Sequence, residues 1–373
     1  MPHPTIRDVA REAGVAAATA SLALRNHPRL RRETCAKVQE AAERLGYKPN
    51  AVMSHLLSQL RASRTPKYQA TLGLINASEN PGILAEIPTF REWVGGMRER
   101  ATQLGYGVND FWANAQSVSP RRLADILRAQ NIGGVIVAAC LGDGTLPVGF
   151  EQIWKGFACV VLGLRSIQPS IHSACNDQFA TVRQAFAEAL ALGYQRPGLL
   201  MCEEVDAQVG GRFSGGFLAA QNSLPVKQRV PPFYYRSPVN LPLSARIGTA
   251  EVLRRFEQWF QRQQPDVIVC IHPEVQEWLA KLGVRAPRHI GLIHLDWNEE
   301  IEGWAGLRQN NHLIGAAGVD MLVGQLHRNE LGVPSFPKCI MVESSWIPGG
   351  TLRGAKPAGQ GRVTRVPRKS GSR

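Results

Sequence analysis

The feature that most constrains this chain is an alternation. From Thr71 to Leu295, short apolar runs rich in β-branched residues take turns with amphipathic stretches at helical spacing. The runs Thr71–Ala77, Gly107–Trp112, Gly134–Ala139, Cys159–Leu164, Pro197–Cys202, Val267–Ile271 and Gly291–Leu295 read as strands. Phe90–Leu104, Arg121–Gln130, Phe179–Leu192, Phe213–Gln221, Arg246–Gln261 and Glu274–Leu282 read as helices between them. Ser119-Pro120 supplies an N-cap followed by proline at the first helical position. Alternation of this kind predicts parallel sheets covered by helices, because a parallel strand pair needs a crossover and the crossover helix packs on the sheet. The span is too long for one comfortable doubly wound domain of about 100–200 residues, so two lobes are expected.

Composition then removes several classes. With 373 residues, 44% hydrophobic and 20% charged, the chain is not disordered as a whole. Its most apolar run, Ile132–Leu141, is far shorter than the roughly 18–20 residues of a membrane helix. Arg7, Asp8, Arg11 and Glu12 interrupt any apolar signal segment at the start. The 7 cysteines, at 35, 140, 159, 175, 202, 270 and 339, form no CxxC pair, so a disulfide framework is not expected and a reducing cytoplasm suits them. A soluble, cytoplasmic protein without a membrane partner is the expectation. The formal net charge of +13 is concentrated at the ends: residues 1–70 carry 12 Lys/Arg against 5 Asp/Glu, and residues 352–373 carry 7 Lys/Arg and no acid. A basic head and tail on a near-neutral body point to an acidic polymer met at the ends. The segment 352–373 reads as a basic, disordered tail.

The head reads as helices. Thr5-Ile-Arg-Asp8 resembles a capping box, and Ile6, Val9, Ala10 and Ala13 make one apolar face. Gly14 stops this helix as a residue at positive φ would, with Val15 at the corner. A second helix, Ala16–Leu24, turns Ala20, Ala23 and Leu24 inward. A third, Arg32–Leu45, buries Cys35, Val38, Ala41, Ala42 and Leu45 and closes at Gly46. Three short helices with a tight turn between the first two outline a helix-turn-helix, whose second helix is slim enough for a major groove.

These residues carry a resemblance. The T-x-x-D-V-A-x-x-A-G-V start at Thr5, the Thr19-x-Ser21 pair and the L-G-Y-x-P-N run ending at Asn50 resemble the DNA-binding head of the lactose-repressor/galactose-repressor family of bacterial transcription regulators. The resemblance implies a helix-turn-helix DNA-binding domain over 1–47, a hinge helix and linker over 48–67, and a periplasmic-binding-protein-like core over 68–351. It divides that core into lobe 1 (about 68–175 and 303–337) and lobe 2 (about 176–300 and 338–350), both doubly wound parallel sheets. Ala17, Ala18 and Leu22 stand where the family reads base edges. Apolar side chains there meet thymine methyls but cannot make bidentate hydrogen bonds, so DNA shape and phosphate contacts take more weight. Thr5, Thr19, Ser21, Asn26, Thr34, Tyr47 and Asn50 stand at phosphate-contacting positions, with Arg25 and Arg31 as further cations. Arg31 replaces a helix-capping residue. Leu56 stands where the family wedges a leucine into the minor groove.

The same resemblance implies a homodimer facing through lobe 1, a palindromic double-stranded operator, and a small-molecule effector, a sugar or derivative, between the lobes. Arg212 in G-G-R-F-S-G-G matches the family's effector-binding arginine, Asp177 the acidic residue opening lobe 2, and Asp296 the acid after the strand Gly291–Leu295. His272 stands where relatives carry aspartate, and Phe90, Trp93 and Trp297 offer faces for a sugar ring. Whether the effector releases or promotes DNA binding stays open. No cofactor is implied. His172-x-x-Cys175 and His289-x4-His294 are poorly spaced for a metal, and no G-x-S-x-G or phosphate-binding loop is present, so neither metal site nor catalytic residue is expected. Glu203, Glu204 and Asp206 read as a solvated acidic turn.

Overall fold

The computed structural model describes residues 6–24, 30–45, 68–115, 118–138, 149–163, 169–236 and 249–354. Helices α1 (Ile6–Glu12), α2 (Ala17–Ala23) and α3 (Arg32–Arg44) form the head around Val9, Ala10, Ala13, Ala20, Ala23, Cys35, Val38, Ala41 and Ala42. Most of these side chains are small, which lets helices of two to four turns close on one another without a large core. The corner between α1 and α2 is set by Gly14 at φ +65°, where the Val15 N–H donates to Ala10 O at 2.9 Å. A helix-terminating left-handed residue is inexpensive only for glycine. Val15 itself packs against the head core.

The chain divides into two compact units, Met1–Cys175 with Asn311–Val342 and Asn176–Asn310 with Glu343–Arg373. The first contains strands β1 (Ala70–Asn76), β2 (Tyr106–Trp112), β3 (Gly134–Ala138), β4 (Ala158–Leu162), β5 (His172–Asn176) and β11 (Cys339–Val342) in the order β11-β5-β4-β3-β1-β2. The pairs β1–β2, β1–β3, β3–β4 and β4–β5 are parallel. Helices α4 (Ile83–Glu86), α5 (Pro88–Gln103), α6 (Pro120–Ala129) and α7 (Glu151–Gly156) precede the units' boundary, and α13 (Asn311–Arg328) follows it later in the chain. Successive strand residues feed opposite cores: Val135 and Val137 join one with Leu127 and Trp154, while Ile136 and Ala138 join the other with Trp93, Met97 and Ile314. Burial on both faces is why these strands read as unbroken apolar runs. Ser119 accepts from the Arg122 N–H at 3.2 Å with Pro120 at the first helical position.

The second unit repeats the plan. Strands β6 (Pro197–Cys202), β7 (Phe233–Tyr235), β8 (Val267–Cys270), β9 (Gly291–His294), β10 (Ala305–Arg308) and β12 (Ser345–Ile347) stand in the order β12-β10-β9-β8-β6-β7. All described pairs are parallel except β10–β12. Its helices are α8 (Gln178–Ala191), α9 (Glu203–Gln208), α10 (Arg212–Gln221), α11 (Ala250–Gln263) and α12 (Val275–Lys281). Leu199 and Met201 face one core, Leu200 and Cys202 the other.

Several elements differ from the sequence reading. The 18-residue helix α13 was not among the predicted ones, because Ile314, Gly315, Gly318, Val319, Leu322 and Val323 are buried and it is apolar on much of its circumference. Strand β5 hides behind polar His172, Ser173 and Asn176, all buried. The acidic turn is corrected to helix α9, with Asp206 only 6% exposed. Residues 305–308 pair with β9 and so stay with the second unit, whereas β11 lies beside β5 in the first. The expected hinge over 48–67 lies outside the described residues, as does the expected 352–373 tail beyond residue 354. The start of that tail is corrected to packed structure, with Leu352 2% exposed in the second unit's core and the Arg353 N–H donating to the Tyr194 hydroxyl at 2.8 Å.

Candidate functional site

In parallel sheets of this type, binding groups collect beyond the carboxyl ends of the strands. In the second unit that edge is polar and built from five segments. Helix α10 begins at Arg212, immediately after Gly210 and Gly211 at φ +66° and +70°. Its first turn is held from below by Asp206, whose Oδ1 accepts the Phe213 and Ser214 N–H groups at 3.1 and 3.2 Å and whose Oδ2 accepts the Ser214 hydroxyl. The acid removed from the solvated class thus fixes the helix start that carries Arg212. Arg212 Nη2 donates to Asp177 Oδ1 at 2.9 Å, the two side chains being 23% and 22% exposed. Asp177 Oδ1 also accepts the Ala180 N–H at 3.2 Å, capping α8. One carboxylate therefore orients a guanidinium and opens a helix at once. A fork held this way presents its donors in fixed directions.

His272 follows β8. Its Nδ1 is hydrogen-bonded to the Tyr235 hydroxyl at the end of β7. Burial lowers the His272 pKa to about 4 and raises that of Tyr235, so both are neutral near pH 7. Two residues on, Glu274 has its carboxyl pKa raised by burial, and its Oε2 is buried without a hydrogen-bond partner among the described residues. His294, last residue of β9, accepts the Asp296 N–H on Nδ1 at 3.1 Å. Burial and, secondarily, His272 lower its pKa to about 3. Its ring stands edge-on to Trp304, with centroids 5.8 Å apart and planes at 83°. Neutral imidazoles, a phenol and a clamped guanidinium are hydrogen-bonding groups suited to a polyhydroxylated molecule. Among the described residues, no group of three or more His, Cys, Asp or Glu is placed to hold a metal ion.

The predicted residues fare unevenly. Arg212 and Asp177 are brought into contact, and Asp296, half-buried, is joined to His294 through its backbone N–H. Trp297 is 8% exposed, donates to Trp304 O at 3.1 Å and carries the Arg308 guanidinium over its ring, so it is a core residue of the second unit. Trp93 is likewise core in the first unit, 7% exposed with its N–H on Asn311 Oδ1 at 2.9 Å. Phe90, half-buried, leans on Trp93 with centroids 5.0 Å apart. Asp206, Tyr235, Glu274 and His294 were missed. Nothing local marks them, since Tyr235 meets His272 across 37 residues of sequence.

In the head, Thr19 and Leu22 on α2 and Thr34 on α3 are half-buried. Arg31 is exposed at the α3 N-cap position and makes no side-chain cap, which leaves the guanidinium on the surface. Ala17, Ala18 and Ser21 fall on α2, but their side chains lie outside the described part, as do Thr5, Arg25, Asn26, Tyr47, Asn50 and Leu56 altogether. No helix among the described residues is long and apolar enough to cross a membrane.

Comparison with known proteins places these features. Residues 5–50 match the family described as bacterial regulatory proteins, lacI family. The chain is 47% identical over 346 residues to catabolite control protein A of Staphylococcus aureus strain Mu50, covering 89% of this chain and 95% of that protein. It is 27% identical over 198 residues to the HTH-type transcriptional regulator GalS of Salmonella typhimurium, covering 52% and 53% of the two chains. Among solved structures, the Lac repressor dimer bound to operator and the anti-inducer ONPF superimposes with a TM-score of 0.54 at 20% identity, covering 94% of this chain and 99% of that one. A complex of the transcriptional regulator CelR with cellobiose gives 0.54 at 16% identity, covering 93% and 99%.

Proposed function

The chain belongs to the lacI family of bacterial regulatory proteins and is a DNA-binding transcriptional regulator, and on that premise we propose that it acts as a homodimeric repressor controlled by a sugar-class effector. The observation that carries the DNA-binding half is the three-helix head, whose Gly14 corner and small-residue core support a slim second helix that a major groove admits. Two heads reading two half-sites make the operator a near-palindrome. Thr19, Ser21, Thr34 and Arg31 hold phosphates, with Thr5, Arg25, Asn26, Tyr47 and Asn50 beside them. Ala17, Ala18 and Leu22 give apolar contact with base edges, and Leu56 enters the minor groove. The effector half rests on the Arg212–Asp177 pair and on neutral His272 at the polar edge of the second unit. Asp296 completes that set, and Phe90, Trp93 and Trp297 stiffen the surroundings. The effector alters DNA affinity through a coupling free energy of about 1–3 kcal/mol, which is reciprocal. The reading includes a cytoplasmic location and no catalytic turnover, both supported by the family.

The experiment pairs fluorescence anisotropy on a palindromic duplex with thermal-shift screening of the full chain against sugars. Sequence-dependent binding that weakens as salt rises, together with a sugar that raises Tm and changes DNA affinity, is expected. A folded protein that binds no duplex at low salt overturns the DNA half. A protein that binds DNA but whose Tm and affinity ignore every sugar overturns the effector half.

A further inference from the structure

Two thiols meet at the edge of the first unit's sheet. Cys175 on β5 and Cys339 on β11 place their Sγ atoms 3.5 Å apart, although 164 residues separate them in sequence. Both are reduced. The approach is fixed by strand pairing: Ser173 N–H donates to Lys338 O at 3.0 Å, and Lys338 N–H donates to His172 Nδ1 at 2.9 Å. Cys175 is buried. Cys339 is half-buried on β11, the outermost strand, where Ile340 and Met341 are 38% and 44% exposed. A disulfide needs sulfurs about 2.05 Å apart, so closing the gap requires a shift of roughly 1.5 Å, shared between a core strand and an edge strand with one neighbour.

We propose that Cys175 and Cys339 form a redox-responsive dithiol, oxidised by a peroxide to an intramolecular disulfide that ties β5 to β11. The accessible Cys339 thiolate attacks the peroxide: an S–O bond forms, the O–O bond breaks, and hydroxide leaves to be protonated to water. Cys175 then attacks the sulfenic sulfur, the S–S bond forms, and the oxygen leaves as a second water. Two thiols lose two electrons, and one hydrogen peroxide becomes two waters. Such disulfides in reducing compartments are typically transient and sensory. The position gives the bond a consequence. Cys175 is the last residue of the first unit before the chain passes into the second, and β11 ends at the other outgoing passage, Val342 to Glu343. The disulfide lies within the first unit and fixes two of its strands close to points at which the chain leaves that unit.

The test treats the full-length native protein with hydrogen peroxide, blocks remaining thiols, and maps peptides by mass spectrometry, with circular dichroism to confirm the fold. A Cys175–Cys339 linked peptide, lighter by two hydrogens and released by dithiothreitol, is expected. In Cys175→Ala, or Cys175→Ser should the alanine variant fold poorly, Cys339 stops at a sulfenic acid that dimedone traps. Both thiols remaining alkylatable after oxidation of the folded protein, or Cys339 oxidising without pairing when Cys175 is present, overturns the proposal. None of these readouts depends on DNA or effector binding.

Discussion

Gly95 and Gly96 are neighbours on α5, and replacing each with alanine is expected to move stability in opposite directions. A Cβ at Gly95 would have nothing within 4 Å. A Cβ at Gly96 would lie 1.9 Å from His312 O, 2.7 Å from its carbonyl carbon and 2.9 Å from its Cα, all backbone of α13. The obstacle cannot rotate away as a side chain can. Restoring an ordinary contact of about 3.4 Å forces the helices apart by roughly 1.5 Å, beyond the gap of about 1 Å at which dispersion contacts have already lost about half of their strength. Trp93, Met97 and Ala101 share that core with Ile314, Val319 and Leu322 and would all feel it. Overpacking typically costs about 1–3 kcal/mol, and rigid backbone places this case near 3. Alanine returns about 1 kcal/mol of helix propensity at either site. Gly96→Ala should therefore lose about 2 kcal/mol and Gly95→Ala gain about 1. At about 2–4 °C per kcal/mol for domains of this size, the two should differ by about 6–12 °C in Tm. Thermal and urea melts of both proteins measure this directly. Equal stability of the two variants would refute the close approach of α5 and α13 on which the first unit's packing rests.

Other expectations follow from the sites. His272 and His294 are held neutral, with pKa values of about 4 and 3 against 6.5 when unfolded, so the unfolded chain binds more protons below pH 6.5. Their stabilisation is complete above about pH 6.5 and falls by up to about 1.4 kcal/mol per pH unit for each histidine as pH drops toward 4. Urea midpoints between pH 7.5 and 5 should decline accordingly, and a flat profile contradicts the burial argument. Asp206→Ala leaves the Phe213 and Ser214 N–H groups without their acceptor and should destabilise by about 1–3 kcal/mol, while also erasing the sugar-induced Tm shift by loosening Arg212. A sugar response that survives this variant separates Asp206 from the site. Arg31→Ala should weaken DNA binding on all sequences and lower the slope of log K against log salt by about 0.9, and an unchanged slope removes Arg31 from the phosphate contacts.

Legibility of the candidate site followed the range of its interactions. Arg212 and Asp177 could be named because each stands at a position of the family's motif, and each also opens a helix. Their contact could not, since 35 residues intervene. His272 was visible only as a departure from a family position, and its partner Tyr235 was invisible in an aromatic strand. Trp93 and Trp297 show the opposite error. An indole that looks available for stacking in sequence is consumed by a core whose walls come from elsewhere in the chain, Asn311 in one case and Trp304 in the other.

What the order of residues settled alone was everything governed by short-range periodicity: the head's three helices, the Gly14 corner, the Ser119-Pro120 helix start and the fully apolar strands. Tertiary contact decided the remainder. Helix α13 is apolar on too many sides to show one face, and β5 buries His172 and Ser173 behind hydrogen bonds supplied across the sheet from Lys338. Asp206 turned from surface acid to helix anchor for the same reason. A polar side chain declares where it belongs only when the distant group that satisfies it has arrived.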